Sequence, residues 1–148
     1  MKGYFFSLIF ITSCAFGQIN PQNVTIARDQ WGVPHIFAKT DPEVAYGLAY
    51  AHAEDDFKTI QLICLPAKGK LGKHLGKQGA SVAYVVELLH APELVAAEYE
   101  TMLSPDFKKV INGYLQGLND YAARHPDEVL VKGVFPVTPQ DYFKGVVL

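Results

Sequence analysis

The chain has 148 residues, of which 49% are hydrophobic, 19% charged and 12% aromatic, a balance that supports a packed core and excludes a disordered tail. A chain of this length buries about 70% of its unfolded surface, enough for one core rather than two. Its 13 basic and 15 acidic side chains leave a formal charge of −2, so no overall basic excess draws it to nucleic acid or anionic lipid.

In chain order, Lys2 is followed by an apolar stretch from Tyr4 to Ile11 that is too short to span a bilayer. Ala15-Phe16-Gly17 supplies small residues where a signal peptidase reads them. Residues 1–17 are therefore expected to be an export signal, with a mature protein of residues 18–148 starting at Gln18 and residing in the periplasm or outside the cell. Ile11-Thr12-Ser13-Cys14 also fits the pattern preceding a lipidated cysteine, so a lipid anchor at Cys14 is the alternative, and an uncleaved buried segment a third. Beyond residue 17 the only thiol is Cys64, set among Leu62, Ile63 and Leu65 and expected to be a small buried hydrophobe.

Residues 23–29 alternate β-branched with smaller or polar side chains, as a strand does. Gln30-Trp31-Gly32-Val33-Pro34 punctuates the pattern and residues 35–38 resume it, predicting a hairpin that turns at Gly32. Thr40-Asp41-Pro42-Glu43 carries a cap, a proline in the first turn and an acid, predicting a helix that runs to about Leu65 and stops at Pro66. Gly47 inside that helix implies a neighbouring element packed very close. Residues 68–79 hold four lysines and four glycines, but not at the spacing of a phosphate-binding loop, and read as a solvated basic turn.

From Val82 to Leu103 the pattern is helical with a bend at Pro92, and Ser104-Pro105-Asp106 caps a further helix. Phe107, Val110, Ile111, Tyr114, Leu118 and Tyr121 recur on it at three- and four-residue steps, forming one apolar stripe, and His125-Pro126 ends it. Thr138-Pro139-Gln140-Asp141 opens a last helix. Because the sequence closes on the apolar run Val146-Val147-Leu148, the chain is expected to be the front of a longer protein.

Candidate chemistry is sparse. His52, Asp55 and Asp56 lie at i, i+3 and i+4 on the first helix and could share a metal. A better account is that they bond neighbouring backbone or an arginine elsewhere, with Glu54 directed to another side. His35, near Arg28 and Asp29, reads as a hydrogen-bonded structural residue, and Arg28 with Asp29 as an ion pair or a turn-stabilising pair. Ser81 and Ser104 are the only serines after the leader, and neither lies in a Gly-x-Ser-x-Gly context. These residues assemble no nucleophile, base and oxyanion hole, so no catalytic, cofactor-binding or metal residue is assigned.

The run from Arg28 to Ile36, followed by Asp41 and then Ala45 to Asp56, resembles the start of the penicillin acylase family, which includes acyl-homoserine-lactone and aculeacin-type acylases. Gly69-Lys70-Leu71 with Leu75-Gly76, then Gly113 to Tyr121, then Thr138 to Asp141 follow in the family's order. The resemblance implies an α+β chain, the mostly helical N-terminal part of a four-layer α/β/β/α N-terminal-nucleophile hydrolase. It implies an exported precursor that cuts itself into α and β chains. The β chain begins with the catalytic residue, usually serine, and small N-acylated substrates are hydrolysed at the amide. The expected partners are thus that substrate and the chain's own β chain, with no nucleic acid and no membrane span. No cofactor is implied, although a structural calcium in the full-length protein is compatible with the family. No family catalytic residue falls on a position of this chain, and Ala83-Tyr84-Val85-Val86 replaces the Ser-Asp pair many relatives carry there. A non-catalytic exported helical module, or a degenerate relative, is the alternative.

Overall fold

The computed structural model describes residues 17–146; the expected export signal, apart from Gly17, lies outside the described residues, as does Cys14. After a 3-10 turn at Pro21–Asn23 come β1 (Thr25–Arg28) and β2 (Pro34–Phe37), then six helices: α1 (Asp41–Ala67), α2 (Leu71–Leu75), α3 (Lys77–Leu88), α4 (Ala91–Met102), α5 (Pro105–Arg124) and α6 (Pro139–Val146). The described part is thus mostly helical with one small sheet. The two strands pair antiparallel with Ile26 opposite Ile36, and Gly32 adopts φ +82° at the turn, a conformation that costs glycine little. The hairpin thus stands where the sequence places it.

α1 is held at its start by a reciprocal cap. The Glu43 amide donates to Thr40 Oγ1 (3.4 Å), and the Thr40 amide donates to Glu43 Oε2 (3.1 Å). Glu43 also accepts from Asn23 (3.2 Å) and from the Lys39 amide (3.2 Å), so the same carboxylate secures the exit of the hairpin. Hydrogen bonds from Thr40 above all hold its pKa below the ordinary value. Two features of α1 depart from the sequence reading. The helix breaks at Asp56 (φ −154°, ψ 63°), whose Oδ1 accepts the Thr59 amide at 3.1 Å and so caps the second half as a fresh helix. It then continues through Pro66 to Ala67, and the chain turns only at Gly69, φ +61°.

The halves of α1 pack differently. The first buries Ala45, Tyr46, Ala49 and Ala53, and the second Phe57, Gln61, Cys64 and Leu65. A Cβ on Gly47 would stand 2.6 Å from Ile36 Cγ2 and 2.8 Å from Val24 Cγ1, so the close neighbour expected there is the hairpin. On its opposite flank α1 meets α5 at backbone contact: a Cβ on Gly113 would strike the Pro42 carbonyl, and one on Gly117 the Tyr46 carbonyl. The apolar stripe expected on α5 omits this. Its buried positions are Ile111, Gly113, Leu115, Gly117, Leu118, Tyr121 and Ala122, whereas Phe107 is exposed. Glycines join the interface because the helices are too close for any side chain.

Residues 68–79 are not a turn. They hold α2 and the start of α3, joined at Gly76 (φ +63°), with Gly79 against the Leu71 carbonyl and Leu71 buried. The break expected at Pro92 lies earlier, at Leu89 and left-handed His90 (φ 51°). Pro92 instead occupies the first turn of α4, where proline has no hydrogen bond to lose.

Three amide side chains fasten the irregular segments to the helices. Gln116 accepts the Ile19 N–H (2.9 Å) and donates to the Ile19 carbonyl (2.8 Å). Asn119 does the same for Val137 (2.8 and 3.0 Å). Fully buried Gln61 accepts the Leu130 N–H (2.8 Å) and donates to the Glu128 carbonyl (3.0 Å). Beneath the last segment Phe57 packs on Tyr121 and Phe135, centroids 4.9 and 5.2 Å away. α6 opens with a second reciprocal cap, Thr138 with Asp141, and Asp141 pairs with Lys68 at 3.1 Å.

Replacing Gly117 with alanine is expected to push the α1 and α5 backbones apart and destabilise the protein by about 1–3 kcal/mol, as overpacking does. Thermal denaturation checks this; a melting temperature equal to that of the unaltered protein contradicts the packing argument.

Candidate functional site

The densest polar constellation is the junction of hairpin and α1, built by the residues that carry the most specific sequence block. Arg28 ends β1, and its guanidinium reaches Gly32 O (2.8 Å), Glu54 Oε2 (3.0 Å) and Asp55 Oδ1 (2.9 Å). Its pKa, already high, rises further through bonds to Glu54 first and then Asp55, so it is a permanent cation. One planar fork therefore closes the hairpin and staples it to α1, a geometry that lysine cannot reproduce. Arg28 consequently does not pair with Asp29, and Glu54, expected on another side of the helix, joins Asp55 on the same cation.

Asp29 serves the turn. Its Oδ1 accepts the amides of Trp31 (2.9 Å) and Val33 (3.0 Å), and its Oδ2 lies 3.5 Å from His35 Nε2. Desolvation pushes its pKa up, but the two amides and His35 outweigh this and leave it below the ordinary value. His35 is thereby a structural partner. Trp31 at the hairpin tip is the most exposed large apolar residue described, at 78%.

The helical trio is not brought together. Asp55 is taken by Arg28 and Asp56 by the Thr59 amide, while exposed His52 sits edge-on to Tyr114, centroids 6.4 Å apart. The arginine elsewhere is Arg28. Among the described residues no group of three His, Cys, Asp or Glu is arranged to hold a metal ion. Ser81 Oγ donates to the Lys77 carbonyl (3.2 Å) and Ser104 Oγ accepts the Phe107 amide (3.2 Å); both hydroxyls are engaged in helix bonds. Cys64 is buried, and desolvation pushes its thiol up to about 11, which keeps it protonated and unreactive at neutral pH. In the divergent segment Val86 faces the interior while Tyr84 and Val85 are exposed.

Sequence reasoning missed the polar aromatic band between α1 and α5. Tyr46 donates to Asp120 Oδ2 at 2.9 Å, and Arg124 lies over the Tyr50 ring at 5.6 Å. Burial first, then the bond to Asp120, raises the Tyr46 phenol well above its ordinary value. It also missed the open cleft of ≈ 650 Å³ between the end of α1, α3 and α6, where Lys68, Lys70, Glu87, Asp141 and Lys144 are among the lining residues. Neither combines a nucleophile with a free base.

The described chain is thus mostly helical, opened by a hairpin that Arg28 locks to a central helix. Residues 23–144 match the family model described as penicillin amidase, and the chain belongs to that family. It is 26% identical over 131 residues to penicillin G acylase of Escherichia coli, covering 85% of this chain and 15% of that protein. It is 25% identical over 143 residues to the acyl-homoserine lactone acylase PvdQ of Pseudomonas fluorescens, covering 88% of this chain and 18% of that protein. The solved structure of a thermostable penicillin G acylase from Alcaligenes faecalis superposes with a TM-score of 0.64 at 27% identity, covering 84% of this chain and 70% of that one. The matches fall on the N-terminal α-chain region, and the chain spans less than a fifth of the length of these two curated relatives.

Because the folded Asp29 pKa is depressed, its contribution to stability is complete above the ordinary carboxylate pKa and is lost as pH falls through the lower folded value. The protection factors of the Trp31 and Val33 amides, taken against the intrinsic exchange rate at each pH, are therefore expected to be high at neutral pH and to fall on acidification. Asp29→Asn should weaken protection at neutral pH and flatten that response. An unchanged acid profile in the variant contradicts the assignment.

Proposed function

We propose that this chain is the N-terminal α-chain part of an exported acylase that hydrolyses the amide bond of N-acylated substrates, β-lactams or acyl-homoserine lactones, within a four-layer α/β/β/α fold. The observation that carries this reading is the family match over residues 23–144, joined to the engagement of both serines beyond the leader in helix bonds. The relatives are acylases by name, which supports the acylase reading; in that reading the reacting hydroxyl belongs to a β chain released by self-cleavage.

The chemistry that follows is acyl transfer to an N-terminal hydroxyl. That oxygen attacks the amide carbonyl carbon while the α-amine of the same residue, with an ordinary pKa of about 8, takes the proton. Hydrogen-bond donors hold the tetrahedral oxyanion. The C–N bond breaks as the proton passes to the departing amine, leaving an ester that water hydrolyses to the free acid and the restored hydroxyl. This chain supplies scaffold: α1 and α5 as a rigid pair, the hairpin locked upon them, and helices that help wall the acyl pocket. Residues 1–17 direct export, which the short apolar run and Ala15-Phe16-Gly17 support.

The test compares full-length protein with residues 18–148 on a chromogenic phenylacetyl amide and on a long-chain acyl-homoserine lactone. The full-length protein is expected to mature into two chains, the smaller starting at Gln18 or at lipidated Cys14 by mass spectrometry, and to release the acyl group. Residues 18–148 alone should release none. Turnover by the shorter chain overturns the placement of the nucleophile, and a full-length protein inert on every N-acyl substrate overturns the acylase reading in favour of a non-catalytic module.

A further inference from the structure

The overall charge of −2 conceals a segregation. Residues 68–90 contain Lys68, Lys70, Lys73 and Lys77 but only one acid, Glu87, a local balance of +3 that leaves −5 for the remainder. Lys68 is tied to Asp141, whereas Lys70, Lys73 and Lys77 enter no ion pair among the described residues.

The same stretch is unusually apolar outside. On α3, Gly79 and Val86 face the fold. Opposite them, Lys77, Ser81, Tyr84 and Leu88 follow at steps of four, three and four residues, which places them in one ridge along the helix. Tyr84 is 67% and Leu88 60% exposed, with Val85 and Leu89 exposed beside them. The Ser81 hydroxyl is spent on the Lys77 carbonyl, which leaves the ridge little free polarity beyond its lysine. Glu87 lies about a quarter turn off the ridge, and His90 with Glu93 lies beyond the elbow. No single described helix is long and apolar enough to cross a membrane; α3 and α4 pass for length and composition only together, across a bend of 53°. A bent pair with one face packed on the protein and the other apolar is suited to lying along an interface.

We propose that the outward ridge of α3, with the lysines preceding it, is a docking surface for an anionic lipid bilayer. Tyr84, Val85, Leu88 and Leu89 enter the boundary between headgroups and acyl chains, the aromatic ring at the depth such rings favour. Lys70, Lys73 and Lys77 meet the lipid phosphates. The acidic remainder of the chain is repelled by the same surface, which orients the molecule as well as attracting it. This docking is independent of the acylase reading.

The experiment sediments full-length protein with vesicles of phosphatidylcholine alone and of phosphatidylcholine mixed with phosphatidylglycerol. Binding is expected only to the mixed vesicles and is released by high salt, because exposed charges are screened. Lys73→Gln with Lys77→Gln should weaken it about 30-fold, roughly fivefold per lysine at ~1 kcal/mol each. Tyr84→Ser with Leu88→Ser should abolish it while leaving the melting temperature unchanged, since both side chains face solvent. Failure to sediment with either vesicle, or equal and salt-insensitive binding to both, overturns the proposal. So does protection of the ridge from hydrogen exchange in vesicle-free protein: another part of the chain then covers it, or a second copy does if the same serine variant also abolishes self-association.

Discussion

The arrangement depends on how closely α1 and α5 approach. Gly113 and Gly117 bring the α5 backbone against the carbonyls of Pro42 and Tyr46, with Ala49 filling the space beside Gly117. Such an interface gains little from large side chains, and most of its stabilisation comes from the many atom pairs held at van der Waals distance. It also leaves α1 thin enough to be gripped from a second side, where Gly47 admits Val24 and Ile36 of the hairpin region. One helix is thus clamped between two partners, and its run of small residues answers to both. Before the break at Asp56 Tyr46 is the one large buried side chain of α1; beyond it Phe57, Gln61 and Leu65 form a core of ordinary size.

A close helix pair leaves the irregular connections without a sheet to satisfy their backbone groups. Gln116, Asn119 and Gln61 solve this in one way: each presents a carbonyl and an amino group to an extended segment, as a neighbouring strand would. The match is demanding, because a buried amide that lost one partner would leave a polar group unsatisfied at about 1–3 kcal/mol. Among the described residues no buried side-chain polar atom lacks a partner, so the network is complete. Tyr46 on Asp120 and Lys68 on Asp141 extend the same logic to charged acceptors.

The block of sequence that is most distinctive of the family turns out to be architecture. Arg28 and Asp29 are adjacent yet serve separate ends, the first joining strand, turn and helix through a single fork, the second organising the turn through its backbone amides. Neither faces a nucleophile, and the serines and Cys64 are engaged or buried. What the residues of this block do here is lock a two-stranded ribbon, which is marginal in isolation, onto a helix.

The features that sequence alone determined are those governed by near neighbours in the chain. The hairpin and its turn at Gly32, the Thr40–Glu43 cap, the Ser104 cap and the start of α6 all rest on local backbone preference, and all stand as read; the tight packing at Gly47 was legible because glycine inside a helix is costly, although its partner was not. The break at Asp56, the passage of α1 through Pro66, the folding of residues 71–88 into α2 and α3, and the left-handed turn at His90 were decided by tertiary packing, which overrides weak local signals. The site divides the same way. Asp29 was legible as a turn former because its partners lie two and four residues on, and Asp55 as the partner of some arginine; that the arginine is Arg28, and that Glu54 shares it, required α1 to bring positions more than twenty residues apart together. The glycines of α5 could not be read as interface from periodicity, since a hydrophobic stripe counts side chains and this contact is made where there are none.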